Sequence, residues 1–208
     1  MTATPDTPET TESNGRKRPK PGERRLQILQ TIATMLQEGP SEKVTTAALA
    51  ARIGVSEAAL YRHFASKAQM FEGLLDFIEE TIFSLINQIE ARETAGVAKA
   101  SDIVIMLLQF AEKNPGMTRV LVGDAIVNED ARLQARVNQL IERVEASLRQ
   151  CIRLQTAEAS ASAVRPEASL VANVAVSFVQ GRWLQFAKSG FRKRPSDLAD
   201  QAVLTLFS

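Results

Sequence analysis

Residues 46–65, TAALAARIGVSEAALYRHFA, restrict the fold of this chain more than any other stretch, because they meet three unrelated demands of a helix-turn-helix in register. Such a unit needs a small residue where its helices cross, a residue tolerant of positive φ in the turn, and apolar side chains on the facing sides. Ala50 is the small residue, Gly54 follows four positions later and Leu60 six beyond that, while Leu49, Ile53 and Val55 supply packing. A generic helical hairpin is the alternative. Thr45 or Thr46 can cap the first of these helices, since a hydroxyl accepts from the orphan amides of a first turn. Gly54 ends it, and Ser56 caps the next, which the pattern carries to about Phe64.

That second helix holds the chain's only tyrosine and only histidine beside an arginine. Leu60 and Phe64 stand i, i+4 and share an inward face, whereas Ala58 and Arg62 form another i, i+4 pair about half a turn away. A face that is small and then cationic suits a DNA major groove, where alanine lets the backbone approach and arginine donates twice to guanine O6 and N7. Tyr61 flanks this face with its hydroxyl in reach of a phosphate. His63, on the other flank, can either bond a phosphate or pack against the preceding helix. Lys67 falls in the first turn of the following helix, where amides and ammonium together make an anion site. One of Thr45 and Thr46 caps, and the other is available to a phosphate. With Ser56, these residues complete a DNA-facing set of Thr45, Thr46, Ser56, Ala58, Tyr61, Arg62, His63 and Lys67.

Charge is distributed to match. Residues 16–67 carry ten Lys or Arg against four acids, whereas residues 68–208 carry fifteen basic and seventeen acidic side chains. A basic head joined to a near-neutral body is the pattern of a polyanion-binding module, although a merely solvated basic face would share it. The first 22 residues, rich in Thr, Pro and Glu and then in Arg and Lys, read as a disordered arm in which Pro19 and Pro21 interrupt any helix. Arg16, Lys17, Arg18 and Lys20 can lie in a minor groove or remain solvated.

The remainder reads as helix throughout, so the expected class is all-α. Apolar residues at threes and fours run from Glu23 to the stop at Gly39-Pro40, and again from about Lys67 to Arg92. Further helices are expected from near Ser101 to Asn114, in MTRVLVGDAIV, in ARLQARVNQLIERVEASLRQCIRLQ, from Glu167 to about Gly190 and from Ser196 to Phe207. The organisation expected is an arm (1–22), a helix-turn-helix head (23–67) and a helical body (68–208). Ala172, Ala175 and Gly181 would permit close approach of a second copy, with Val171, Val174 and Phe178 in contact, or would serve the chain's own core. A dimer would set two recognition helices about 34–36 Å apart, one turn of DNA.

Several classes are disfavoured. No apolar run approaches the roughly 18 residues of a membrane span. The N-terminus lacks the apolar core of a signal peptide, and Cys151 is the only cysteine, so a cytosolic protein without an internal disulfide is expected. One histidine and one cysteine far apart give little support to a zinc site or Cys/His pair, and no GxxxxGK[ST] or GxGxxG is present. No catalytic residue, metal or cofactor is therefore expected. Met106, Phe110, Met117 and Trp183 are the candidates for an effector pocket in the body, though at helical spacing such residues are more often core, and no convergent polar cluster accompanies them.

VTTAALAARIGVSEAALYRHFASKAQMFEGLLDFIEE resembles the N-terminal signature of the TetR family of transcription regulators, whose fold implies a three-helix DNA-binding head on a dimerising helical body. The likeness narrows to the nucleoid-occlusion branch through GVSEAALYRHFASK, FIE, EKNPGMTRVLVGDA, RLQARVNQLIERVEASLRQ and FRKRPSD, over about residues 24–200. What this resemblance implies is a nucleoid-associated homodimer that binds palindromic double-stranded DNA and, once bound, engages the division protein FtsZ to prevent ring assembly. By the same analogy the FtsZ tail docks between the fourth and fifth helices, at positions matching Phe77, Lys113 and Asn114, with lysine at 113 where an arginine is expected. A ligand-responsive repressor of the same family is the alternative function.

Overall fold

The computed structural model describes residues 21–38, 44–127, 129–158 and 167–207. Thr45 and Gly54 frame the first helix of its helix-turn-helix. Thr45 is the N-cap of α2 (Thr46–Ile53) and its side chain accepts from the Ala48 amide, a contact of about 1 kcal/mol in such positions. Gly54, at φ 75°, ψ 42°, closes the helix in the left-handed region that a side chain disfavours, and turns the chain into α3 (Glu57–Tyr61). Leu49, Ala50, Leu60 and Phe64 are buried together against α1 (Pro21–Glu38), as the spacing requires.

The helix expected from Ser101 opens at Gly96 and the last, expected from Ser196, at Ala199; two further boundaries differ for reasons of backbone chemistry. α1 opens at Pro21 rather than Glu23, because proline in a first turn lacks only an amide that would be orphaned there. α3 ends at Tyr61, and the chain reaches Phe64 through a turn in which the His63 and Phe64 amides both donate to the Leu60 carbonyl. The arm's basic residues, Arg16, Lys17, Arg18 and Lys20, lie outside the described residues.

The body contains α4 (Lys67–Glu90), α5 (Gly96–Lys113), α6 (Pro115–Leu121), a 3-10 turn (Asp124–Ile126), α7 (Ala131–Glu158), α8 (Ala168–Lys188) and α9 (Ala199–Leu206). No strand occurs among the described residues, so the all-α class holds. The broadest helix pairings are α7 with α8 and α1 with α6. The second joins head to body through backbone. A Cβ on Gly116 would stand 1.9 Å from the Ala33 carbonyl oxygen, so only glycine lets α6 lie this close to α1. Beside it the buried Arg119 pairs its Nε with Asp124 at 2.7 Å and donates from Nη1 to the Leu36 carbonyl at 3.1 Å.

Small residues of α8 divide between two faces. Ala172 and Ala175 are fully buried and pack in the chain's own core, so they are not a surface for close approach of another copy. The exposed stripe is instead Leu170, Val174 and Leu184, with Gly181 open beside it. Trp183 is buried and donates its indole N–H to the Leu107 carbonyl, the role of an anchor between α8 and α5.

Candidate nucleic-acid interface and partner groove

Ala58, Tyr61 and Arg62 share the exposed side of α3, and Arg62 makes no ion pair among the described residues. Ser56 occupies the N-cap position, but its hydroxyl makes no capping bond; its carbonyl receives the Ala59 and Leu60 amides, which leaves the hydroxyl facing solvent. Helix α1 steadies this face. Arg25 lies 4.1 Å above the Phe64 ring and donates to the His63 carbonyl at 3.1 Å, so the histidine's backbone is tied to the first helix while its ring is half-buried.

Three members of the expected set have protein partners. Thr45 is taken by its cap. Thr46 donates its hydroxyl to Glu57 Oε2 at 2.6 Å. Lys67 Nζ meets Glu129 at 2.5 Å, and the first turn of α4 is closed by its own side chains, with Ser66 at the N-cap accepting from the Gln69 amide and Gln69 accepting from the Ala65 amide. The anion site expected at Lys67 is thus filled by the chain's own groups. Glu129 follows the 3-10 turn, 62 residues away in sequence, and no local pattern announces it.

On the body, α4 and α5 run antiparallel, fastened at one end by Arg92 to Asp102 at 2.7 Å and by Lys99 Nζ to the Glu90 carbonyl at 2.8 Å. Between them lies an open cleft of about 250 Å³ with Leu85, Ile105 and Met106 on its walls and Gln88 and Gln109 at its rim. Phe77 stands eight residues before Leu85, about 12 Å along the same side of α4. Lys113 stands one turn beyond Gln109 on α5. Neither Phe77 nor Lys113 lines this cleft; antiparallel packing sets both beyond its head-proximal limit at Leu85 and Gln109. Phe77 is half-buried, Lys113 exposed. Asn114 forms the corner between α5 and α6: its side-chain amide donates to the Phe110 carbonyl at 2.8 Å and its own carbonyl receives the Thr118 amide.

The adjoining loop is held to this corner. Glu112 accepts from Arg194 at 2.5 Å and from the Ser196 hydroxyl, while Arg182 donates to the carbonyls of Arg194, Pro195 and Asp197. Burial raises the Glu112 carboxyl, but the hydrogen bonds from Ser196 and Arg194 outweigh it and hold the group below its ordinary value.

Residues 28–74 match the bacterial regulatory proteins of the tetR family, and residues 94–207 match the SlmA-like tetracyclin repressor-like C-terminal domain. The nucleoid occlusion factor SlmA of Alteromonas mediterranea is 47% identical over 174 residues, covering 84% of this chain and 89% of that one. Its counterpart in Colwellia psychrerythraea is 48% identical over 173 residues, 83% and 87% of the two chains. The chain belongs to the SlmA family. SlmA-family proteins are nucleoid occlusion factors with a TetR-like DNA-binding fold, and they are not enzymes.

Solved structures share the fold at low identity. A TetR transcription regulator from Haloarcula marismortui is 19% identical with a TM-score of 0.73, covering 89% of this chain and 96% of that one. AibR, solved with isovaleryl coenzyme A and operator DNA, is 16% identical with a TM-score of 0.70, covering 88% and 98%. Of the candidate effector residues, Met106 lines the α4/α5 cleft and Trp183 a separate one with Leu121 and Gln134, while Phe110 and Met117 are buried in the core. Among the described residues no group of His, Cys, Asp and Glu could hold a metal ion, and no helix is long and apolar enough to cross a membrane.

Met106 was singled out from the sequence as a pocket candidate, whereas Leu85 and Ile105, which line the cleft with it, were not. Their signal is faint: they flank the buried stripes of α4 and α5 and are only half-buried, so periodicity alone assigns them to the core.

Proposed function

We propose that this SlmA-family protein is a nucleoid-associated, cytoplasmic homodimer that binds palindromic DNA and, in that state, engages FtsZ to prevent ring assembly over the chromosome. In this reading residues 23–67 are the DNA-binding head and residues 68–208 the dimerising and partner-binding body. Ser56, Ala58, Tyr61 and Arg62 face DNA, with Thr45, Thr46, His63 and Lys67 at its margins. The FtsZ tail lies between α4 and α5, against Phe77, Lys113 and Asn114.

The observation that carries the reading is the position of Phe77, Lys113 and Asn114. Asn114 joins α5 directly to α6, and α6 rests on the backbone of α1 at Gly116. A shift of the head on DNA thus has a short, rigid route to the partner site. Dimerisation through α7 and α8 is supported by the exposed Leu170, Val174 and Leu184, which have no partner within the chain's core.

Light scattering of FtsZ polymers tests the reading. Added protein with a bound palindromic duplex should lower the polymer signal more than protein alone. An unchanged signal under both conditions, with DNA binding intact, would favour a ligand-responsive repressor.

A further inference from the structure

Glu57 opens α3 on a head, residues 23–67, that carries six Lys or Arg against four acids, and a carboxylate beside a phosphate backbone opposes binding. It is nonetheless exposed, at the N-terminal end of the recognition helix, where side chains meet base edges once such a helix enters the major groove. The 2.6 Å hydrogen bond from Thr46, the first residue of α2, restricts a long side chain that would otherwise be free to rotate. It engages only Oε2, and among the described residues no hydrogen bond occupies Oε1.

An ionised carboxylate is an acceptor only. Of the base edges in the major groove, cytosine offers the N4 amino donor with no acceptor of its own beside it, whereas the adenine amino group adjoins the N7 acceptor. We propose that Glu57, aimed by Thr46, is a specificity-determining residue that accepts a hydrogen bond from a cytosine N4 amino group in each half-site. The inference rests on the DNA-binding reading of the head. The pair also ties α2 to α3 and places negative charge at a helix start, and a purely structural role would need no more than that. Base preference separates the two.

The test is selection of duplexes from a randomised library by the full-length protein and by Glu57→Gln, Glu57→Ala and Thr46→Val, with circular dichroism confirming that each variant is folded. The unsubstituted protein should favour cytosine about tenfold at one position of each half-site. Glu57→Gln should move that position to adenine, which a side-chain amide matches through N6 and N7. Glu57→Ala should leave it degenerate, and Thr46→Val should keep cytosine with a weaker preference, all other positions being unchanged. A wild-type consensus retained at every position by both Glu57 variants would overturn the inference and leave DNA binding standing. Failure of the unsubstituted protein to select any consensus would overturn the sequence-reading role of the head, and this inference with it.

Discussion

The DNA-facing side of the head and the α4/α5 cleft of the body are built in opposite ways. The first is assembled from about twenty consecutive residues, fixed by one cap, one left-handed glycine and one small crossing residue. The second is assembled from two helices whose facing residues lie ten to twenty-four positions apart, and it exists only because α4 and α5 pack antiparallel. A local motif positions its own functional side chains. A groove inherits its geometry from packing, and its chemistry is plain: a few half-buried apolar walls and polar ends.

The two regions meet at α6, so the sharpest way to break the comparison is to separate them. Gly116→Ala would drive a methyl group into the Ala33 carbonyl, and overpacking of this kind costs roughly 1–3 kcal/mol or more. Thermal denaturation should show the largest loss of any surface-neutral substitution proposed here. At temperatures where the variant remains folded, DNA should no longer alter partner binding.

Arg62→Ala comes next. Loss of a bidentate arginine contact to a base costs about 1–3 kcal/mol, so operator affinity should fall roughly tenfold to a hundredfold with partner binding in the absence of DNA unchanged. Phe77→Ala is its mirror image. Truncating one anchor of a peptide groove should weaken tail binding by about tenfold and leave operator affinity alone. If either substitution disturbs both activities equally, the two regions are not separable as described.

Smaller effects concern the corner at Glu112. Its carboxyl is depressed in the folded state, so its contribution to holding the 190–198 loop is complete above the ordinary value of 4.5 and is lost as the pH falls further. Hydrogen exchange of the Lys193 and Arg194 amides should quicken in that acid range, and Glu112→Gln should shift the onset. Burial, with Glu90 nearby, pushes the Cys151 thiol up, so alkylation at pH 8 should be slow until the protein unfolds.

The contrast also explains what the sequence could disclose. The helix-turn-helix was legible because Ala50, Gly54 and Leu60 each answer a separate local demand, and the helical body because its apolar stripes repeat at threes and fours. Partners that arrive from elsewhere were not legible. Thr46 and Lys67 show the right residue types for phosphate contacts, yet Glu57 and Glu129 claim them, and only the tertiary arrangement reveals that. Ala172 and Ala175 read equally well as dimer surface or core until the burial of both decided for the core. Leu85 and Ile105 lay hidden among core positions for the same reason.

The most direct test is fluorescence anisotropy of a labelled FtsZ C-terminal tail peptide, titrated with the protein with and without a palindromic duplex that it binds. Saturable binding, tighter with the duplex and weakened by Phe77→Ala and Asn114→Ala, is the predicted result. No binding in either condition while DNA binding persists would contradict the account.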